Sequence, residues 1–209
     1  MARPSATAAA ALEHARHLRL LLWAAGGTFL LDQATKWLVV HRLGLRDRGA
    51  IDVLPPWVNL RMAWNEGVNF GLGAGLDMRW VLVGVAVAIS AVVVAWVRRD
   101  RMGWWAHLSA GLLVGGALGN VVDRVLYGAV ADFLNFPFFG DLLGAALGAV
   151  TLGRLSLDAQ YSLNVADTAI FLGALGLVLF AGGGARGARA GRAKGGSARE
   201  RGDAGRKAR

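Results

Sequence analysis

The 209-residue chain contains no cysteine, which excludes disulfides, a thiolate nucleophile and a cysteine-ligated metal site. Oxidising and reducing compartments are therefore both permitted. Charged residues are also scarce, at 18% of the chain, whereas hydrophobic residues make up 55% and the mean hydropathy is +0.44. Because this composition is unusual for a soluble domain of this length, it predicts an integral membrane protein.

Four apolar segments approach or reach the roughly 20 residues that a helix needs to cross a bilayer. They are Leu18 to Val40, Trp80 to Val97, Trp104 to Val122 and Ala166 to Ala181. A cleavable signal peptide is the alternative for the first segment, because Arg16 and Arg19 precede its apolar stretch. We favour a retained helix, since the stretch continues through Asp-Gln-Ala-Thr-Lys-Trp without a small-residue cleavage pattern.

Arginine and lysine concentrate before the first segment, between the second and third, and in the tail at 182–209. Because such residues mark cytoplasmic segments, we predict that both termini lie in the cytoplasm and that segments 41–79 and 123–162 lie outside. The tail supplies most of the net charge of +9, and its Gly, Ala, Arg and Lys composition predicts disorder beside anionic lipid headgroups. It has no interleaved aromatic residues, so nucleic-acid binding is not favoured.

Secondary structure is also predicted within the two segments that are expected to lie outside. Between Asp52 and Trp64, apolar and polar residues alternate after a break at Pro55-Pro56, which predicts short strands on the outer membrane surface. The following residues, Asn65 to Gly73, predict a loop near the functional site. Farther along, Leu142 to Leu152 is apolar but too short to cross, so an interfacial or re-entrant helix is favoured over a fifth span that would move the basic tail outside.

Two acids adjoin the apolar segments, Asp132 in Val-Ala-Asp-Phe and Asp167 in Asn-Val-Ala-Asp. A carboxylate near hydrocarbon is energetically costly, so each is a candidate functional residue. If the fold brings them close together, mutual repulsion would leave one protonated and one ionised at neutral pH. Aspartic proteases use this arrangement, but the pattern alone does not separate a protease from a proton relay.

The remaining polar motifs favour structural roles. Asp32 and Lys36 are four residues apart and so share a helix face, which predicts an ion pair. Asp123 precedes Arg124 directly, and we expect these two to pair and to leave Asp123 catalytically silent, although Asp123 is the strongest rival for a catalytic role. The glycine-rich stretch 115–119 predicts close packing between helices.

Five motifs in this order resemble one family, the lipoprotein signal peptidases, also called signal peptidase II. They are Asp-Gln-Ala-Thr-Lys (32–36), Asn-Glu-Gly-Val-Asn-Phe (65–70), Gly-Asn-Val-Val-Asp-Arg (119–124), Val-Ala-Asp-Phe (130–133) and Asn-Val-Ala-Asp (164–167). The resemblance covers residues 18–181. It implies a mainly α integral membrane fold with four transmembrane helices, a small β-cradle at about 41–79 between the first two helices, and an inserted periplasmic segment at about 136–160 between the last two.

The resemblance also implies an organisation and a site. Residues 1–17 would form a cytoplasmic N-terminus, 18–181 the peptidase domain and 182–209 the tail. The implied catalytic residues are Asp132 and Asp167, at the periplasmic side. Residues that shape the site would be Asn65, Asn120, Asp123, Arg124, Asn164, Asp32 and Lys36, with Asp123 paired to Arg124.

The implied activity is cleavage of bacterial prolipoproteins on the amino side of a cysteine that already carries a diacylglyceryl group, with no metal and no organic cofactor. The implied setting is the inner membrane, with membrane lipids around a monomer and no nucleic-acid partner. Two alternatives stay open. A small transporter or proton relay would use Asp32, Asp123, Asp132 and Asp167 as a pathway, and a non-enzymatic scaffold would tolerate the loss of Asp132 and Asp167.

Overall fold

The computed structural model describes residues 5–67, 77–100, 102–137 and 162–181. Five α-helices and four strands occur in these ranges, with a π-helical turn at Leu38–Arg42. In chain order the elements are α1 (Ala6–Trp37), α2 (Leu45–Arg48), β1 (Ala50–Leu54), β2 (Val58–Asn65), α3 (Met78–Arg99), α4 (Trp104–Tyr127), β3 (Val130–Asn135), β4 (Ser162–Leu163) and α5 (Val165–Phe180). The inserted segment beyond Pro137, the basic tail and most of the loop after Asn65 lie outside the described residues.

Helix α4 is the centre of the helical bundle and packs against α1, α3 and α5. Glycines on two of its faces allow these approaches. Gly111, Gly115 and Gly119 are spaced by four and face α1, while Gly116 faces the backbone of Ala166 at the start of α5. Because side chains at these positions would separate the backbones, the predicted role of the glycine-rich stretch in close helix packing is confirmed.

The four strands form one antiparallel sheet in the order β1-β2-β3-β4. The prediction of short strands around Pro55-Pro56 is confirmed, since β1 ends at Leu54 and β2 begins at Val58. The predicted cradle was nevertheless incomplete, because β3 and β4 follow α4 in the chain and not α1. Strand β3 contains only six residues, and its pairing with β2 depends on contacts across the sequence that a local pattern does not reveal.

Each predicted span lies on a helix, but the bounds differ. Helix α1 begins at Ala6 with Ser5 as its N-cap, so residues 6–17 are helical and continuous with the predicted first span. At about 1.5 Å per residue, α1 is roughly 48 Å long, which exceeds the hydrocarbon core of a bilayer. Helix α4 continues beyond Val122 to Tyr127, so Asp123 belongs to the helix and not to the outer segment.

The helices present large apolar side chains to the surroundings. By length and composition, α3 and α4 could each cross a membrane, and α5 is apolar but shorter, with 16 residues. Aromatic residues occur near both ends of the bundle: Trp37, Trp80 and Tyr127 at the end that carries the sheet, and Trp96, Trp104, Trp105 and Phe180 at the other. Such aromatic belts are typical of the two interfaces of a bilayer.

The glycine contacts predict a position-specific loss of stability. A Cβ at Gly115 would lie 2.9 Å from both Ala25 Cα and Thr28 Cβ, so we expect Gly115→Ala to destabilise the protein by about 1–3 kcal/mol through overpacking. Thermal unfolding in detergent measures the effect. Gly84→Ala on α3 is the matched control, because nothing lies within 4 Å of its added Cβ and alanine favours the helix. Equal melting temperatures for the two variants would contradict the packing argument.

Candidate functional site

Asp132 lies on β3, and its carboxylate is held by two asparagines. In the β2–β3 register, Asp132 faces Ala63, so Asn65, two residues farther along β2, lies on the same face of the sheet. Asn65 Nδ2 donates to Asp132 Oδ2 at 3.0 Å, and Asn164 Nδ2 donates to Oδ1 at 2.7 Å. The carboxylate is therefore fixed at both oxygens. Asp132 is also buried, with only 3% of the residue exposed.

Asp167 lies in the first turn of α5, where local helix chemistry determines its position. Asn164 is the N-cap: its Oδ1 accepts from the backbone N–H of Asp167 at 2.8 Å, and its own backbone N–H donates to Asp167 Oδ2 at 3.3 Å. This reciprocal arrangement is a capping box. Because the fully buried Asn164 side chain also reaches Asp132, one residue positions both candidate acids.

Asn120 connects the two acids to the interior of the bundle. Its Nδ2 donates to Asp167 Oδ1 at 2.9 Å. Its Oδ1 accepts from Asn164 Nδ2 at 3.2 Å and from Lys36 Nζ at 3.0 Å. Asn120 thus joins the helix that carries Asp167 to a buried charge cluster on α1 and α4.

That charge cluster is centred on Lys36. Its ammonium group lies 2.8 Å from Asp32 Oδ2 and 2.7 Å from Asp123 Oδ2, and all three side chains are buried. The predicted Asp32–Lys36 pair is confirmed, but it is not an isolated pair. The predicted pairing of Asp123 with Arg124 is wrong, because adjacent residues on a helix point in different directions and Asp123 faces α1.

Three further groups complete the cluster, and none of them was predicted from the sequence as part of the site. Gln33 Nε2 donates to Asp32, to the Gly119 carbonyl and to Asp123 at 3.1–3.2 Å. The backbone N–H groups of Ala166 and Ala131 donate to Asp32 and Asp123. A polar Gln33 beside Asp32 within an apolar span was the one signal in the sequence. The backbone donors carry no sequence signal at all.

Arg124 borders the two candidate acids, and none of the ion pairs among the described residues includes its guanidinium. Its Nη1 donates to the Asn120 carbonyl at 3.4 Å, while its buried Nε has no hydrogen-bond partner within the part of the chain that the structure describes. The charges of Asp167, Asp132 and Asp123 all act on this guanidinium. Arg124 Nε is therefore a buried donor without a partner among the described residues.

The pKa of Asp132 is raised to about 6. Burial is the largest cause, and the negative charge of Asp167 adds to it; the hydrogen bonds from Asn65 and Asn164 and the charge of Lys36 act in the opposite direction. A carboxyl group with this pKa holds a proton far more readily than an exposed aspartate does. The site thus has one acid that is poised for protonation close to neutral pH.

All nine residues that the sequence predicted for the site meet in one hydrogen-bonded network. The connections run from Asn65 through Asp132, Asn164 and Asn120 to Asp167, and from Asn120 to Lys36. Asp32 and Asp123 join the network through their ion pairs with Lys36, and Arg124 joins it through its hydrogen bond to the Asn120 carbonyl. Within the described ranges, no group of three or more His, Asp or Glu residues is arranged to hold a metal ion.

Comparison with known proteins indicates the family of this chain. The family model described as signal peptidase (SPase) II matches residues 24–181. A lipoprotein signal peptidase of Methylobacterium sp. (strain 4-46) is 40% identical over 168 residues, which cover 78% of this chain and 89% of that relative. The lipoprotein signal peptidase of Chlorobaculum tepidum is 37% identical over 157 residues, which cover 72% of this chain and 86% of that relative.

A solved structure described as a bacterial membrane enzyme at 1.9 Å resolution has a similar fold, with a TM-score of 0.59 and 23% identity over 76% of this chain and 90% of that one. A second, at 2.3 Å resolution, gives a TM-score of 0.57. At this identity the likeness supports the fold alone. Because the family model covers most of the chain and the relatives match over nearly their whole length, the chain belongs to the signal peptidase II family, the lipoprotein signal peptidases, which are aspartic peptidases of family A8.

Proposed function

We propose that the protein removes signal peptides from diacylglyceryl-modified prolipoproteins, with Asp132 and Asp167 as its catalytic dyad. The observation that carries this proposal is the position of Asn164, which holds both acids in one network. A water molecule between the two carboxyl groups would be the nucleophile. Membership of the family supports the substrate class, and the geometry supports the choice of acids.

The environments of the two acids suggest which one keeps the proton. Asp132 is the more buried, and its raised pKa favours the protonated form, so we assign it the role of general acid. Asp167 accepts hydrogen bonds at both oxygens, from Asn120 and from the Asn164 backbone, an arrangement that suits a carboxylate. Asp167 would take a proton from water as the water attacks the scissile carbonyl carbon.

The remaining steps follow from proton balance. Asp132 donates a hydrogen bond to the carbonyl oxygen and stabilises the tetrahedral intermediate. When the C–N bond breaks, the leaving amine receives one proton from the dyad, and the products are a signal peptide with a new carboxylate and a lipidated cysteine with a free amino group. Arg124 lies within reach of the charges of both acids, its Nε has no partner among the described residues, and we assign its guanidinium to a carbonyl oxygen of the bound substrate.

The site lies at one end of the bundle, which supports a placement at the membrane surface. We propose that α1, α3, α4 and α5 all cross the bacterial inner membrane, with both termini in the cytoplasm and the dyad on the periplasmic side. The apolar helix surfaces, the aromatic residues near both ends and the basic flanking segments support this orientation. A transporter or proton relay is not favoured, because the family's named members are peptidases.

The dyad proposal predicts that each acid is indispensable. Asp132→Asn and Asp167→Asn should each lower the cleavage rate of a diacylglyceryl-modified prolipoprotein by at least about 10²–10⁴-fold, because each removes an acid–base group. A gel-shift assay in detergent measures cleavage. Asp52→Asn on the exposed strand β1 is the control and should keep full activity. Undiminished cleavage by either dyad variant, once shown to be folded, would refute the assignment.

The pKa of Asp132 predicts a pH dependence with a defined sign. The acid holds its catalytic proton below a pH of about 6 and loses it above, so kcat/KM of the free enzyme should fall about tenfold per pH unit on the alkaline side. Asn65→Ala removes a hydrogen bond that lowers this pKa, so the alkaline limb should move to higher pH.

The control for this shift is Asn59→Ala. Asn59 is also on β2 but bonds Asn135 and not the dyad, so the limb of that variant should stay at the wild-type position. A limb that moves equally in both variants, or to lower pH in Asn65→Ala, would contradict Asp132 as the titrating group.

Substitutions of Lys36 and of Arg124 should differ in their effects on stability and on activity. Lys36→Met leaves Asp32 and Asp123 buried without a counter-charge, so we expect a loss of about 3–5 kcal/mol in stability. Arg124→Gln removes one long hydrogen bond and a charge near the acids but no ion pair among the described residues, so thermal unfolding should change less than in Lys36→Met while cleavage falls. Thermal melts and cleavage assays on both variants measure this difference. If Arg124→Gln unfolds as readily as Lys36→Met, Arg124 is a structural residue.

A further inference from the structure

A cavity lies beside strand β3, the strand that carries Asp132. Its volume is about 200 Å³, and it opens between the ends of α1 and α4 beside β3. The lining residues are Gln33, Lys36, Trp37, Val40, His41, Asp123, Tyr127 and Ala131. Neighbouring side chains on a strand point to opposite faces, so the cavity contacts β3 on the face opposite to the Asp132 carboxylate. It is therefore distinct from the space in front of the dyad.

The polar end of this cavity presents hydrogen-bond acceptors beside an ammonium group. Asp123 and Lys36 both line it, and they form an ion pair. The Nε2 of Gln33 already donates to Asp32, Gly119 and Asp123, so the carbonyl oxygen of this amide is left as an acceptor. The cavity thus offers a carboxylate and an amide oxygen, which suit a ligand that donates hydrogen bonds from a positively charged group.

The walls and the rim also suit a cation that is attached to a phosphate. Trp37 and Tyr127 supply aromatic faces, which attract ammonium groups. Arg42 lies on the adjacent π-helical turn with its guanidinium 5.3 Å from the centre of the Trp37 ring, and guanidinium groups bind phosphate oxygens well. Both aromatic residues are about half exposed at the end of the bundle that we place at the membrane surface.

We propose that this cavity binds the headgroup of an ethanolamine phospholipid. The primary ammonium group enters between Trp37 and Tyr127 and donates to Asp123 and Gln33, and the phosphate remains at the rim beside Arg42. A choline headgroup has the same charge but no N–H donors, so it leaves the acceptors unsatisfied. The proposal depends on the membrane location given above but not on the peptidase chemistry.

The bound lipid would act on the dyad indirectly, through two sets of hydrogen bonds. Asp123 accepts from the backbone N–H of Ala131, the neighbour of Asp132. Lys36 donates to Asn120, which donates to Asp167. An ammonium group on Asp123 therefore stabilises the arrangement that holds both proposed catalytic residues, so the cavity couples lipid composition to the geometry of the site.

Native mass spectrometry of the full-length protein tests this inference. The protein is released from micelles that contain equimolar phosphatidylethanolamine, phosphatidylcholine and phosphatidylglycerol with identical acyl chains. The wild type should retain phosphatidylethanolamine over each of the other two by about fivefold or more. Val40→Trp fills the cavity and should abolish this preference. Leu38→Trp, on the same π-helical turn but outside the lining, should keep it.

Each remaining outcome decides against the site. Equal retention of the ethanolamine and choline lipids, preference for phosphatidylglycerol, or an unchanged preference in Val40→Trp would overturn the proposal. If Val40→Trp does not fold, Tyr127→Leu replaces it: a folded Tyr127→Leu protein that keeps the full preference is equally negative. Cleavage of a prolipoprotein by the same wild-type sample is measured in parallel, so a failed lipid preference in a sample that cleaves the substrate overturns the cavity proposal alone.

Discussion

The bridge from Lys36 to Asp32 and Asp123 is the interaction on which the rest of the site depends. It joins α1 to α4 inside the bundle, where an unpaired charge would be severely penalised. Helix α4 can approach close enough for this bridge because position 119 is glycine: a side chain there would collide with the Asp32 carboxylate. Packing and electrostatics are thus one constraint, since the glycine face brings the charges together and the charges fix the register of the two helices.

Hydrogen bonds from backbone N–H groups and from asparagine side chains connect this bridge to the proposed dyad. Asp32 accepts from the N–H of Ala166 and so positions the first turn of α5, while Asp123 accepts from the N–H of Ala131 and so positions β3. Asp132 lies one residue after Ala131, and Asp167 one residue after Ala166. The two structural acids therefore determine where the two proposed catalytic acids lie, and Asn120 and Asn164 adjust the final distances.

The two faces of β3 have different environments. On one face Asp132 meets Asn65 and Asn164, and on the other Phe133 packs with Val39 and Leu45 in a small apolar cluster. This cluster and the π-helical turn after α1 connect the sheet to the bundle. The proposed lipid cavity lies in the same region, between the charge bridge and the aromatic residues at the end of the bundle. A membrane lipid and a peptide substrate would then contact opposite sides of one strand.

The sequence alone predicted the apolar helices, the strands around Pro55-Pro56, the pairing of Asp32 with Lys36, and nine candidate site residues, which the structure joins in one network. Those features depend on composition, on helical spacing or on short motifs, all of which are local. The strand around Asp132, the partner of Asp123 and the backbone donors at Ala131 and Ala166 were decided only by the tertiary structure. They depend on contacts between residues far apart in the chain. The partner of Asp123, for example, is decided by which helix packs against the face of α4 on which Asp123 lies.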